Sequence, residues 1–342
     1  MDHLSRLRLP LLALALLALA LAAPSGADKP TLKVRSEPKL ALPSTKAGCG
    51  GAVTKDGVTT IPIKVDRFPN LADALVNVCF DGKGPYPLTI DTGASRTTIS
   101  TEIAEEIGLQ KVGKPIVIHG AGCDGAAQSF RLPTWSIGGV RLEGGTIQTT
   151  NAPEQGKGFP RGSLGADVLA RFGEVRLDFK RQRLVVVGKE GPVFKRSHAP
   201  RPLPKGLVRS TPQLTAPMEV EASAGNVKPF AEVTVGSTKP QKWLVDTGAD
   251  TSAVDPGLVK AAKLRSTGEA RRSPTFCSTV DLVEYESGSW SLAGQPLKPQ
   301  RLGAIPLVDS VGVAGLLGAY PLAKYGSVVF DFAGGRLLLG AG

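Results

Sequence analysis

Apolar and polar residues alternate along short runs through most of this chain. Thr60-Ile61-Pro62-Ile63-Lys64-Val65 and Ala74-Leu75-Val76-Asn77-Val78 have the period of two expected for strands with one buried face. Asp81-Gly82-Lys83-Gly84 follows as a turn and leads into an apolar strand, Leu88 to Asp91. Ser100-Thr101-Glu102 caps a short amphipathic helix from Glu102 to Ile107, which Gly108 ends. A second helix opens at Asp255-Pro256 and runs through Ala261. Residues 114–135 form a hairpin with Ile116-Val117-Ile118 as one strand. Its tip is rich in glycine and expected to be mobile, with Gly120-Ala121-Gly122 and Asp124-Gly125. A counterpart spans Ser273 to Trp290 with fewer glycines. With 41 glycines and 27 prolines in 342 residues, the pattern predicts an all-β fold with few, short helices.

The pattern occurs twice. Leu88-Thr89-Ile90-Asp91-Thr92-Gly93-Ala94 returns as Trp243-Leu244-Val245-Asp246-Thr247-Gly248-Ala249, 155 positions later. The same offset takes Leu75 to Phe230, Val78 to Val233, and Trp135-Ser136-Ile137 to Trp290-Ser291-Leu292. Further along the offset is 153. It takes Gly165 to Gly318, Gly173 to Gly326, Asp178-Phe179 to Asp331-Phe332, and Arg183-Leu184 to Arg336-Leu337. A period this long exceeds the roughly 20–50 residues of solenoid repeats. It is a duplicated lobe of ordinary domain size.

Each repeat carries an apolar strand that ends on a carboxylate. An unpaired buried charge is costly, so two such strands in one chain suggest carboxylates that face each other. At close range the two cannot both ionise and must share a proton.

Asp91-Thr92-Gly93-Ala94 and Asp246-Thr247-Gly248-Ala249 resemble the signature of the retropepsin-like aspartic protease family. So do Gly162-Ser163-Leu164-Gly165-Ala166-Asp167-Val168-Leu169 and Gly315-Leu316-Leu317-Gly318-Ala319-Tyr320-Pro321-Leu322, the later Gly element and its short helix. The resemblance covers most of residues 55–188 and 218–342. It implies two homologous acid-protease barrel lobes about a pseudo-twofold axis, in one chain as in the pepsin-like organisation. It also implies an endopeptidase that needs no cofactor and no metal, in which Asp91 and Asp246 activate water. Thr92 and Thr247 would bond across the interface of the lobes, with Gly93 and Gly248 supporting the dyad. Asp250 would touch substrate backbone. Gly122 and Cys123, at the tip of the hairpin that acts as a flap, are further candidates for substrate contact. The family braces the Asp250 position with an arginine in the later helix; here that position is Ala319, and Ala166 in the first repeat. Ser163 stands where an apolar residue is expected, and the first flap lacks the tyrosine usual in pepsins. Ala94 and Ala249 lack the hydroxyl that pepsins place after Asp-Thr-Gly, so the dyad should keep its proton to higher pH and work best in mild acid. A secreted pseudo-protease that binds extended peptides without cleaving them is the alternative.

The remaining stretches complete the picture. Residues 1–27 read as a signal peptide, with Arg6 and Arg8 before the apolar run Leu11–Ala23, which is too short for the roughly 20 residues of a membrane span. Residues 28–55 are an N-terminal arm, 56–188 the first lobe, 189–217 a linker, and 218–342 the second lobe. The linker region from Gly188 to Pro217 holds six prolines, and six basic residues against one acidic, as in a semi-rigid exposed tether. The net charge of +11 comes without any basic patch interleaved with aromatics, so nucleic acid is not an expected partner. A weak attraction to an anionic envelope surface fits it better. The expected protein is a periplasmic or extracellular monomer acting on peptides or proteins. His119 and Cys123 have loose zinc spacing with no second pair. Export favours disulfides, and four cysteines allow three connectivities. Cys123 and Cys277 lie 32 and 31 residues after the two aspartates, so a pseudo-twofold axis would join them across the flaps and leave Cys49 for Cys79.

Overall fold

The computed structural model describes residues 32–36, 48–150, 160–187, 203, 207–208 and 210–341. The expected leader 1–27, residues 28–31 and 37–47 of the arm, and residues 189–202, 204–206 and 209 of the linker lie outside the described residues. Among the described residues no helix is long and apolar enough to cross a membrane.

The fold is all-β and is built from two similar lobes. In the first, strand Leu71–Phe80 pairs antiparallel with Lys83–Asp91, which pairs parallel with Gly162–Gly165. The second repeats this with Asn226–Val235, Gln241–Val245 and Gly315–Leu317. Each lobe's sheet is the centre of a larger one, of ten strands in the first lobe and eleven in the second. The repeat holds at the level of single bonds. Trp135 Nε1 donates to Glu143 O at 3.2 Å, and Trp290 Nε1 to Lys298 O at 2.9 Å. Both indoles are buried, and each packs against an aromatic of its own lobe, Phe80 or Trp243.

A third sheet joins the lobes. Its seven strands run in the order Leu214–Pro217, Arg336–Leu339, Ser327–Asp331, Glu174–Asp178, Arg183–Val187, Val58–Pro62 and Val53–Lys55. At its centre Arg176 sits opposite its own repeat partner, Val329, so the pseudo-twofold axis passes through this pair. Val175, Leu177, Val328 and Phe330 of these two strands are all buried.

Two expected boundaries shift for the same reason. The last four residues of the expected linker are a strand of the shared sheet, pairing with Arg336–Leu339. Residues 53–55 of the expected arm form a hairpin with Val58–Pro62 across Asp56-Gly57, both at positive φ (+52° and +73°). That pair of left-handed residues is the tight hairpin turn that Asp-Gly favours. The arm contributes a second strand, Lys33–Ser36, parallel to the edge strand Ser266–Pro274 of the second lobe. Arg35 there meets Glu269 and, at 3.1 Å, Glu284.

Both short helices start as their residues dictate. The Ser100 hydroxyl accepts from Ile103 N at 3.3 Å to cap Thr101–Glu106, and Asp255 accepts from Gly257 N at 2.8 Å to cap Pro256–Ala261. The cysteines pair as the spacing implies, Cys49 with Cys79 and Cys123 with Cys277.

Candidate active site

Both Asp-Thr-Gly-Ala turns meet on the pseudo-twofold axis, at the floor of a cleft of about 1110 Å³. Thr92 and Thr247 are fully buried between them. The Thr92 hydroxyl donates to Val245 O at 2.7 Å and accepts from Thr247 N at 3.1 Å. The Thr247 hydroxyl donates to Ile90 O at 2.6 Å and accepts from Thr92 N at 3.0 Å. Each threonine thus satisfies backbone groups of the opposite lobe, which fixes the two turns relative to each other. The glycines act crosswise. A Cβ on Gly93 would stand 2.2 Å from Asp246 Cγ, and one on Gly248 would stand 2.3 Å from Asp91 Cγ. Only glycine leaves room for the other lobe's carboxylate.

Asp91 and Asp246 face each other across the axis, each carboxyl lying against the other lobe's glycine. Each also accepts from its own turn: Asp91 from Ala94 N at 2.8 Å, Asp246 from Gly248 N at 2.9 Å and Ala249 N at 3.0 Å. Both keep part of their surface open to the cleft, yet the surrounding protein raises both carboxyls by desolvation. Asp246 is pushed up to about 8, first by burial and then by the charge of Asp91. Asp91 has an opposing influence that Asp246 lacks. The Ser163 hydroxyl lies 2.8 Å from Asp91 Oδ2 and favours its ionised form. The two carboxyls are therefore not equivalent: the Ser163 bond favours charge on Asp91 over Asp246.

Ser163 was expected to be a poor fit to an apolar position. It instead restores to the first lobe the hydroxyl donor that Ala94 lacks. It sits on the strand Gly162–Gly165, opposite Thr89 in the register, while the equivalent place in the second repeat is Leu316, opposite Leu244. One signal was visible beforehand: a single hydroxyl where the other repeat has leucine.

The brace on Asp250 also comes from an unexpected element. Arg271, on the strand Ser266–Pro274 of the second flap, makes two bonds to its carboxylate at 2.7 and 3.1 Å. The helix positions Ala166 and Ala319 bind instead through backbone, donating to Ala94 O at 2.9 Å and Ala249 O at 2.8 Å. Nothing in the local pattern around Arg271 announced this partnership.

The flaps form a roof. Hairpin Gln110–Gly120 with Cys123–Leu132 meets hairpin Ser266–Pro274 with Thr279–Glu286, and the Cys123–Cys277 disulfide fastens one tip to the other. The glycine-rich tip expected to be mobile is therefore tethered. It also packs on an aromatic ring: a Cβ on Gly120 would stand 1.8 Å from Phe276, and one on Gly125 would stand 2.9 Å from it. Phe276 lines the cleft, as do Ile118, His119, Gly120 and Ala121. Gly122 packs toward Ile305, and Cys123 is spent in the disulfide, so these two hold the roof. His119 pairs with Asp124 at 2.8 Å.

The chain matches the family model described as aspartyl protease over residues 76–168 and again over 231–320. It belongs to the aspartyl protease family. The two matched segments are the two lobes, each with its own Asp-Thr-Gly. Among solved structures, it is similar to an aspartic proteinase from Irpex lacteus at 11% identity, covering 83% of this chain and 97% of that one with a TM-score of 0.49. It is also similar to conglutin gamma, a basic 7S globulin from lupine seeds, at 12% identity, 84% and 96% coverage and a TM-score of 0.44. Basic 7S globulin from soybean gives 12%, 84%, 95% and 0.40. No curated protein matches the chain in sequence.

Proposed function

We propose that this member of the aspartyl protease family is an endopeptidase in which Asp91 and Asp246 activate water against a peptide bond. The observation that carries the reading is the pair of carboxyls, one from each lobe, that face each other on the floor of a cleft roofed by two flaps. In this mechanism Asp91, ionised, takes a proton from water as the oxygen attacks the carbonyl carbon. Asp246 donates its proton to the carbonyl oxygen, giving a tetrahedral diol. Collapse runs the other way. Asp91 gives its new proton to the leaving nitrogen, and Asp246 recovers a proton from the diol hydroxyl. The dyad ends as it began. The two pKa values belong to the pair, but the Ser163 bond biases the microstate toward Asp91 as base.

Two disulfides support an oxidising, exported setting for the protein. The test is Asp91→Asn and Asp246→Asn on the purified protein with an unfolded protein as substrate. Each should lower kcat/KM by roughly a hundred- to ten-thousandfold. The tethered roof favours one second reading, a cleft that holds peptides and does not cut them. Wild-type protein that binds peptides but leaves them intact across the pH range would decide for that reading.

A further inference from the structure

The pseudo-twofold relates the two ends of the cleft, and the charges at related positions are opposite. The 155-residue offset takes Asp73 to Lys228, Ser95 to Asp250, and Arg96 to Thr251. The geometry obeys it. Ala72 N donates to Asp250 O at 2.9 Å, and Val227 N donates to Ser95 O at 3.1 Å. Each bond ties the start of one lobe's long strand to the turn of the other. Asp73 consequently stands beside Asp250 and Arg271 at one end, and Lys228 beside Ser95 and Arg96 at the other. All six residues line the cleft.

The charges at each end are not balanced within the protein. Asp250 is answered by Arg271. Asp73 is only 8% exposed and accepts from Ala74 N at 2.7 Å, but no cation contacts it among the described residues. The charged groups around it are Asp66, its register partner, together with Asp91 and Asp250. Lys64, 3.5 Å from Asp66, and Arg271 answer two of these three. Burial first, and then the charge of Asp250, push the Asp73 carboxyl up to about 7. An acid raised in this way favours the folded state at low pH and loses that contribution as pH rises through 7. A buried carboxyl that weakens the fold near neutrality needs another reason to be there. At the other end Arg96 is held by neutral acceptors, Asn226 Oδ1 at 3.0 Å and Ala224 O. Lys228 pairs through its backbone with Glu221, whose carboxylate is held by Lys242, and its own side chain has no hydrogen bond or ion pair among the described residues. Asp73 thus has no bound cation, and Lys228 and Arg96 have no bound anion, among the described residues.

We propose that the cleft selects extended peptides of mixed charge, with a basic side chain at the Asp73 end and an acidic side chain at the Lys228–Arg96 end. The proposal rests on the cleft's being a peptide site, and it names the substrate class of that site. The basic side chain supplies the cation that Asp73 lacks, and this favours its ionised form. The acidic side chain meets two cations, Arg96 held only by uncharged oxygens and Lys228 with no side-chain ion pair among the described residues. Opposite charges placed this way raise affinity for the matching peptide and penalise the others, because a like charge at either end is repelled.

Four labelled peptides test this, sharing one apolar six-residue centre and flanked by Lys–Lys, Glu–Glu, Lys–Glu or Glu–Lys. Binding by anisotropy and cleavage by mass spectrometry are measured at about pH 8.5, on the alkaline side of the Asp73 value of about 7. One mixed-charge peptide should bind about tenfold more tightly than either same-charge peptide. Lys228→Met should remove the advantage of the acidic flank, and Asp73→Asn that of the basic flank. The double exchange Asp73→Lys with Lys228→Asp should make the other mixed-charge peptide the preferred one. A same-charge peptide binding best overturns the proposal, and so does a ranking that neither Lys228→Met nor Asp73→Asn alters. Ranked binding without cleavage removes the endopeptidase reading alone, whereas cleavage without any charge ranking removes this proposal alone.

Discussion

At the scale of single residues the dyad is asymmetric although its two motifs are the same. Both repeats read Asp-Thr-Gly-Ala, and both carboxyls accept backbone N–H bonds. The difference is Ser163, whose second-repeat counterpart is Leu316. Its removal gives a prediction with a definite sign. In the proposed mechanism Asp91 must be ionised to act as base, so activity should rise with pH through its pKa. Asp246 must be protonated to act as acid, so activity falls as pH passes its value of about 8. A hydrogen bond to a charged acceptor is worth about 1.5–3 kcal/mol, or about one to two pKa units. In Ser163→Ala, Asp91 loses a donor to its charged form and its pKa rises. The acid limb of kcat/KM should move up by about one unit, while the alkaline limb moves less. An acid limb that stays in place would mean that backbone N–H groups alone set the ionisation of Asp91.

At the scale of elements the roof is the feature that distinguishes this cleft. Two hairpins reach over the dyad from opposite lobes, and Cys123–Cys277 joins their tips. Gly120 and Gly125 leave the space that Phe276 fills, so the tips are packed as well as bonded. The tether limits how far such a roof can part, which should slow the entry of a long chain more than that of a short peptide. Replacing both Cys123 and Cys277 with serine should therefore raise the rate on an unfolded protein severalfold relative to a short peptide. Mild reduction of the native protein should have the same effect, and should do nothing further to the double variant. An unchanged ratio of the two rates would show that the flaps do not gate access. The N-terminal strand Lys33–Ser36 adds an edge to the second flap through the Arg35 contacts, which supports that hairpin from outside the cleft.

At the scale of the whole molecule, two lobes share one sheet. The strands Glu174–Asp178 and Ser327–Asp331 are antiparallel neighbours in it and carry Val175, Leu177, Val328 and Phe330 into the core. Each such side chain contributes about 1.5–3 kcal/mol on burial. Leu214–Pro217 and Val53–Lys55 extend the sheet on either side. The chain between the lobes is basic and rich in proline, but it is not what unites them. Trypsin should cut first among Lys195, Arg196, Arg201, Lys205 and Arg209, which a basic, proline-rich composition favours. The nicked protein should elute as one peak with its activity intact. Separation into two fragments without denaturant would make the linker the main tether.

The sequence by itself determined the duplication, the two Asp-Thr-Gly turns, the hairpins and the helix caps, and it offered the pairing of the four cysteines as one of three. These are local or periodic features. A strand ending on Asp, a serine before a helix, and an offset of 155 can be read without knowing what lies across the fold. The shared sheet was legible only in part, because Leu214–Pro217 and Val53–Lys55 are short and become strands by pairing with distant segments. Ser163 and Asp73 left a trace, each a polar residue in a largely apolar strand and each differing in kind from its repeat partner, Leu316 or Lys228. Arg271 left none. Its bond to Asp250 spans two elements of the second lobe, and no local pattern encodes such an approach. What makes the two carboxyls inequivalent and what braces Asp250 were decided by tertiary structure. Each depends on side chains from separate elements meeting within about 3 Å, the range in which a hydrogen bond or an ion pair acts.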